Sequence, residues 1–203
     1  MADALLVDAG TGNLHSVYNA LIQLGYSIMV TSSPADLAAR GRVILPGVGA
    51  FGKFMQGLNQ RGLGEPIRAQ VQQGDPLLGI CVGMQALFDL SEEMGTFPGL
   101  GLLPGKVVCF TPAPDLKVPQ TGWNQIWPAR PTPLLKDVPP GSYAYFNHSF
   151  YCAPDNPSDT AATTDYGASF TSVVQREALF AVQFHPEKSQ AVGLQILKNF
   201  MEL

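Results

Sequence analysis

With 203 residues, 46% of them apolar and 14% charged, the chain has enough hydrophobic material to close a substantial core and too little charge for a disordered segment. Its 12 Lys and Arg are outnumbered by 16 Asp and Glu, for a net charge of -4, and form no basic run, which argues against a nucleic-acid partner. No stretch approaches the ~20 apolar residues of a membrane span, and the start lacks a signal-peptide pattern. No membrane association and a soluble cytoplasmic protein are therefore expected, folded as one domain across residues 1–203.

Residues 3–8 form a short apolar run that reads as a strand. The turn Ala9-Gly10-Thr11-Gly12-Asn13 follows, leading into a helix with Leu14, Val17, Leu21 and Leu24 on one face and Gly25 as its stop. The glycines suggest a dinucleotide fingerprint, but His15 stands where G-x-G-x-x-G requires its third glycine. Residues 26–31 and 42–45 read as further strands, joined by a short helix that Ser33-Pro34 opens. This alternation predicts a parallel sheet with helices on its faces. Pro46-Gly47-Val48-Gly49-Ala50-Phe51-Gly52 closes the third strand; it reads as an ordinary turn or as a loop that exposes backbone N–H groups to an anion. Residues 54–73 read as a helix broken by Gly62, Gly64 and Pro66.

At residues 77–90 an apolar strand at 77–80 meets helical spacing over Val82, Gln85, Ala86 and Asp89. Cys81 sits at the corner, two residues from Gly79 and Gly83. A side chain on such a corner is thrust out above the sheet, and the glycines are expected to clear space around it. A helix beginning at Val82 would direct its dipole at the sulfur and favour thiolate. A buried structural cysteine is the alternative. The three cysteines, Cys81, Cys109 and Cys152, are odd in number and widely spaced, fitting neither a disulfide framework nor a metal site, and no cofactor is implied.

Past Ser91 short strands replace the helices, at 106–110, 122–127, 143–150, 160–165 and 169–175. They suggest antiparallel ribbon at one edge. The expected fold is therefore α/β, an open, mostly parallel sheet flanked by helices with an antiparallel edge ribbon. The last strong strand, 178–184, runs into His185-Pro186-Glu187-Lys188-Ser189, and a helix from Gln190 follows. A thiol nucleophile needs a base and a group to orient that base. His185, at the carboxyl end of a buried strand and two residues from Glu187, meets both needs.

Cys81, His185 and Glu187, within Gly79-Ile80-Cys81-Val82-Gly83-Met84-Gln85 and Gln183-Phe184-His185-Pro186-Glu187-Lys188-Ser189, resemble the triad of the class I glutamine amidotransferases. Gly12-Asn13-Leu14, Leu45-Pro46-Gly47-Val48-Gly49-Ala50-Phe51, Gly122-Trp123-Asn124 and His148-Ser149 extend the resemblance over almost the whole chain. They bring it nearest to members that act beside a separate cyclase in histidine biosynthesis. Gln120, Asn147 and Phe150 depart from the family pattern of His, Val and Tyr. The resemblance implies hydrolysis of L-glutamine to glutamate through a Cys81 thioester. Backbone N–H groups of Val82 and of Val48 or Gly49 would form the oxyanion hole. Gly49, Gln85, Glu93, His148, Ser149 and Phe150 would line the glutamine pocket, with structural roles open for the last five.

The ammonia released must reach its acceptor before water protonates it, and a glutaminase fold is expected to take up nearly all of these residues, leaving the acceptor to another polypeptide. The resemblance implies a heterodimer with a (β/α)8 cyclase subunit that makes imidazole glycerol phosphate and aminoimidazole carboxamide ribonucleotide. Asn13, Trp123, Tyr145 and Lys188 would face it, although Trp123 equally suits a core. Rival readings are another glutaminase of the superfamily, a γ-glutamyl hydrolase, or a scaffold that has kept the fold without the chemistry.

Overall fold

The computed structural model describes residues 2–11, 13–39, 41–111 and 116–203. Gly12, part of the turn expected at 9–13, lies outside them. The first half alternates as its apolar spacing predicts: β1 (Ala4–Val7), α1 (Leu14–Gln23), β2 (Ile28–Thr31), α2 (Pro34–Leu37) and β3 (Arg42–Gly47). The expected broken helix resolves into α3 (Phe51–Gln60) and α4 (Gly64–Gln72), and β4 (Leu77–Cys81) then enters α5 (Val82–Gln85). The second half is mostly strand: β5 (Phe88–Ser91), β6 (Phe97–Pro98), β7 (Leu103–Cys109), β8 (Gln120–Pro128), β9 (Ser142–His148), β10 (Phe150–Pro154), β11 (Thr160–Asp165), β12 (Ser169–Arg176) and β13 (Leu179–Val182). Helix α6 (Gln190–Met201) ends the fold.

Strands β2, β1, β3, β4 and β13 lie side by side in that order, all parallel. Every residue of β4 and β13 is buried, as expected of central parallel strands covered on both faces. From β13 the sheet continues through antiparallel β12, β10 and β7, and β5 then runs parallel to β7. A ribbon of β8 and β9 joins through β11, which pairs with β12. This is the expected α/β sheet with antiparallel strands added. Helix α1 packs through Val17, Ala20 and Leu21, and α6 through Ile196, Leu197, Phe200 and Met201. Among the described residues, no helix is long and apolar enough to cross a membrane.

Two segments differ from the sequence reading. The helix expected from Val82 through Asp89 is a single turn, and Phe88 already belongs to β5. Residues 82–88 are all buried, so no solvent face supports a longer amphipathic helix. The chain instead hands its carbonyls to a neighbouring segment, with Leu100 N–H on the Ala86 carbonyl and Leu102 N–H on that of Leu87. The single strand expected over 143–150 breaks at Ser149 into β9 and β10, which pair with different neighbours, β8 for one and β7 with β12 for the other.

The elbow glycines act otherwise than expected. A Cβ on Gly83 would stand 1.8 Å from the Leu45 carbonyl oxygen, and one on Gly79 would stand 3.0 Å from the Gly83 carbonyl oxygen and from Met84 backbone atoms. Their bareness lets the elbow backbone lie against β3 and fold back on β4.

Candidate active site

Cys81 ends β4 with φ 54 and ψ -112, a backbone region that residues with a Cβ rarely occupy. It pairs in register with Gly47 of β3, so the Gly47-Val48-Gly49 loop opens beside the thiol. On the other flank, β13 carries the chain into Gln183 and His185. His185 is pinned from below by β9: its N–H donates to the Tyr145 carbonyl, and its own carbonyl accepts from Ser189 Oγ at 2.6 Å. Ser189 Oγ in turn accepts from the Tyr145 N–H at 2.9 Å. Pro186 then opens a 3-10 turn, Pro186–Lys188, that swings Glu187 back under the ring.

The imidazole Nδ1 lies 2.9 Å from Glu187 Oε1, and the two side chains are only 4% and 1% exposed. A carboxylate can only accept, so Nδ1 carries the proton and Nε2 is the ring nitrogen left to act on the Cys81 sulfur. Burial pulls the imidazole down. Its interactions with the Cys81 sulfur and with the Glu187 carboxylate outweigh burial and push His185 up to about 10. The positive charge beside the sulfur is therefore an imidazolium. This corrects the helix-dipole argument, because a helix of one turn has few aligned peptides to supply a dipole.

The structure brings together the residues expected at the site. A cavity of about 460 Å³ is lined by Cys81, Val82, His185, Val48, Gly49, Gln85, Glu93, His148, Ser149 and Phe150, and also by Asn13 and Lys188. A larger, mainly apolar groove of about 750 Å³ between α3 and β6 shares Glu93 with it. That groove has no cysteine, serine, threonine or histidine in its lining, whereas the smaller, more polar cavity holds both a thiol and an imidazole. Among the described residues, no group of three or more His, Cys, Asp and Glu is placed to hold a metal ion.

Several pocket residues hold the protein together as well as facing the cavity. Gln85 Nε2 donates to the Phe150 carbonyl at 2.9 Å and to Gln183 Oε1 at 3.2 Å. Glu93 Oε2 accepts the Phe51 N–H at the start of α3, 2.6 Å away. His148 Nδ1 donates to the Phe150 carbonyl at 2.8 Å. Burial pulls His148 down to about 4 against that bond, and the charge of His185 lowers it further, so the ring is neutral near pH 7. Its buried Nε2 lone pair finds no partner among the described residues and stands ready for a donor. Phe150 serves through its carbonyl, so the side-chain departure at this position leaves both bonds intact. Gln120 pairs across the ribbon with His148 and donates to Asn124. Asn147 accepts from Thr121 Oγ1 at 3.2 Å.

The four residues expected at an interface do not behave alike. Trp123 is 44% exposed, which removes its core alternative, and meets Tyr145 edge-on with ring centroids 5.9 Å apart. Lys188 Nζ lies 5.8 Å from the Tyr145 ring centroid, within cation–π range. Asn13 instead points inward, its Nδ2 3.4 Å from Glu187 Oε1.

Sequence reasoning assigned no role to Gln183, which is fully buried and places Nε2 3.8 Å from the Cys81 sulfur. The available signal was an amide in the otherwise apolar run Ala181-Val182-Gln183-Phe184. Cys152 is buried, and burial together with the Cys81 charge pushes its thiol up, which keeps it protonated beside a reactive neighbour.

The class-I glutamine amidotransferase family matches residues 5–203. Among curated proteins, the imidazole glycerol phosphate synthase subunit HisH of Chlorobaculum tepidum is 48% identical over 198 residues, covering 97% of this chain and 98% of its own. The subunit of the same name from Moorella thermoacetica is 49% identical over 203 residues, covering 100% and 96%. A solved glutamine amidotransferase superposes with a TM-score of 0.76 at 18% identity over 98% of this chain and 97% of its own. Another, from Thermotoga maritima, gives 0.66 at 15% identity over 98% and 80%. The two structures establish likeness of fold.

Proposed function

The chain belongs to the class-I glutamine amidotransferase family, and on that premise we propose how it works as the glutaminase subunit of imidazole glycerol phosphate synthase in histidine biosynthesis. The full-length similarity to subunits of that name supports the assignment. The observation that carries the chemistry is that Cys81 and His185 line one cavity while Glu187 holds the far nitrogen of the His185 ring at 2.9 Å. A cytoplasmic location and a single catalytic domain over residues 1–203 accompany this reading.

In the proposed mechanism the Cys81 thiolate attacks the side-chain amide carbon of glutamine. The oxygen takes the electron pair and is held by the Val82 N–H and an N–H of Val48 or Gly49, at a loop where Gly49 has φ +85. Losing one such donor typically costs ~100- to 1,000-fold in rate, so the conformation of this loop is a natural control point. As the intermediate collapses, the C–N bond breaks and His185 gives its proton to the departing nitrogen, releasing NH3 and leaving a thioester on Cys81. Neutral His185 then takes a proton from water as its oxygen attacks the thioester carbon; the C–S bond breaks, and glutamate leaves. Glu187 fixes the ring and stabilises imidazolium in both halves. Gly49, Gln85, Glu93, His148, Ser149 and Phe150 bind the glutamine.

Bulk water would protonate the ammonia and remove its nucleophilic lone pair, so the acceptor must sit against the cavity mouth. In this reading a (β/α)8 cyclase subunit docks on the rim formed by Asn13, Trp123, Tyr145 and Lys188 and receives the ammonia as the second chain of a heterodimer. An isotope experiment tests the assignment. With glutamine labelled at the amide nitrogen and an excess of unlabelled ammonium salt, the cyclase product should carry the label. Full dilution by bulk ammonium would overturn direct transfer.

A further inference from the structure

The Glu187 side chain is buried, yet it is not fully bonded: among the described residues Oε2 has no hydrogen-bond partner, while Oε1 receives His185 Nδ1 at 2.9 Å and Asn13 Nδ2 at 3.4 Å. Asn13 precedes α1, where an Asn usually turns its side chain back to cap the helix, but it makes no such bond. Its Oδ1 instead accepts from Ser16 Oγ at 2.6 Å. Because a carboxylate offers no proton, the Asn13 amide must present its NH2 to Glu187, and Ser16 must then be the donor at the other end. The amide is thereby fixed in one orientation by two bonds, one of them to a residue 174 positions away.

We propose that Asn13 is a positioning residue for the glutaminase reaction, its amide locked by Ser16 and holding Glu187 in the orientation that keeps the His185 ring aimed at Cys81. This deepens the function proposed above and rests on it. Without the amide, Glu187 keeps a single donor in a buried setting and gains freedom to rotate, and the imidazole loses its fixed direction. Asn13 also borders the cavity beside Lys188, so it ties the rim expected to meet a partner to the innermost member of the triad.

The alternative is a residue that only contacts the partner. Asn13→Ala, Asn13→Asp and Ser16→Ala separate the two roles. Asp keeps the shape of Asn but replaces the donor with a second carboxylate, so a role in packing alone would leave Asn13→Asp like the parent. In the complex, Asn13→Ala should lower kcat for glutamine by ~10- to 100-fold, the usual worth of a hydrogen bond to a buried charge. KM should stay within about twofold by the same reasoning, since Asn13 acts through Glu187 and not on the substrate. Asn13→Asp should fall at least as far, and Ser16→Ala should move the same way by a smaller factor.

The isolated chain gives a readout that needs no partner: the rate of Cys81 alkylation by iodoacetamide across pH. The titratable groups facing His185 there are Cys81 on β4, Glu187 on its own turn and His148 on β9, with Lys188 and Tyr145 at the rim. Asn13→Ala should slow Cys81 alkylation at neutral pH relative to that of Cys109, where the parent His185 is fully protonated. An unchanged kcat and alkylation profile with weakened partner affinity would overturn the proposal and leave Asn13 as a docking residue. If the parent protein shows no selective alkylation at Cys81, the functional reading fails instead, a result distinct from either.

Discussion

A Cys81→Ala protein mixed with its cyclase should lose at least ~10⁴-fold of its glutamine-dependent turnover, the scale on which nucleophile deletions act in triad hydrolases, while synthesis from added ammonium salt continues. The two halves of this expectation have separate causes. The first follows because no other group can form the thioester: Cys152 is buried with its thiol pushed up, and Cys109 is outside the cavity lining. The second follows because replacing one small buried side chain at the end of β4 leaves the rim of Trp123, Tyr145 and Lys188 untouched. Paired measurements with glutamine and with ammonium as nitrogen source check it. Parallel loss of both activities would mean that the substitution had disturbed folding or docking. Retained glutamine use would remove Cys81 as the nucleophile.

Removal of His185 should be nearly as severe. His185→Gln deletes the group that holds positive charge beside the sulfur, protonates the leaving nitrogen and later deprotonates water, and a loss of ~10⁴-fold in kcat is expected. Since His185 is pushed up to about 10, it stays protonated through neutral pH and gives up that charge only as pH rises through that value. The parent protein therefore keeps its imidazolium throughout the physiological range, whereas the variant has none at any pH. Its Cys81 should accordingly react with iodoacetamide at neutral pH at least ~10-fold more slowly, like an unassisted thiol. Cys109, exposed on β7, provides the internal standard. A Cys81 rate that does not change relative to Cys109 would show that the sulfur is activated by something other than the imidazole.

The sequence made the corner at Cys81 and the His-Pro-Glu turn legible because each is local. An apolar strand, a glycine spacing and a proline-stiffened turn declare themselves within ten residues. The parallel half of the sheet was legible for the same reason, through the alternation of strand and helix up to β4. What escaped depended on tertiary neighbours. The helix after Val82 stops after one turn because residues 82–88 are enclosed on all sides, a fact no periodicity reveals. The break at Ser149 comes from β9 and β10 having different partners. Gly83 looked like a residue that spares the thiol, yet it is the Leu45 carbonyl that leaves no room for a side chain. Asn13 was expected near a partner from the family resemblance, and its additional bond to Glu187, which spans nearly the whole chain, shows only in the fold. Gln183 follows β13 directly, and its apolar neighbours hide it until the fold places it against the sulfur.

The central claim is that one sulfur among three is made reactive by an imidazole and a carboxylate from the far end of the chain, in a cavity shaped for glutamine. Covalent capture by an electrophilic glutamine analogue, followed by peptide mapping, tests it most directly. The adduct should appear on the peptide containing Cys81, form in proportion to the loss of glutaminase activity, and be prevented by excess glutamine. An adduct on Cys109 or Cys152, or labelled Cys81 with activity intact, would contradict the account.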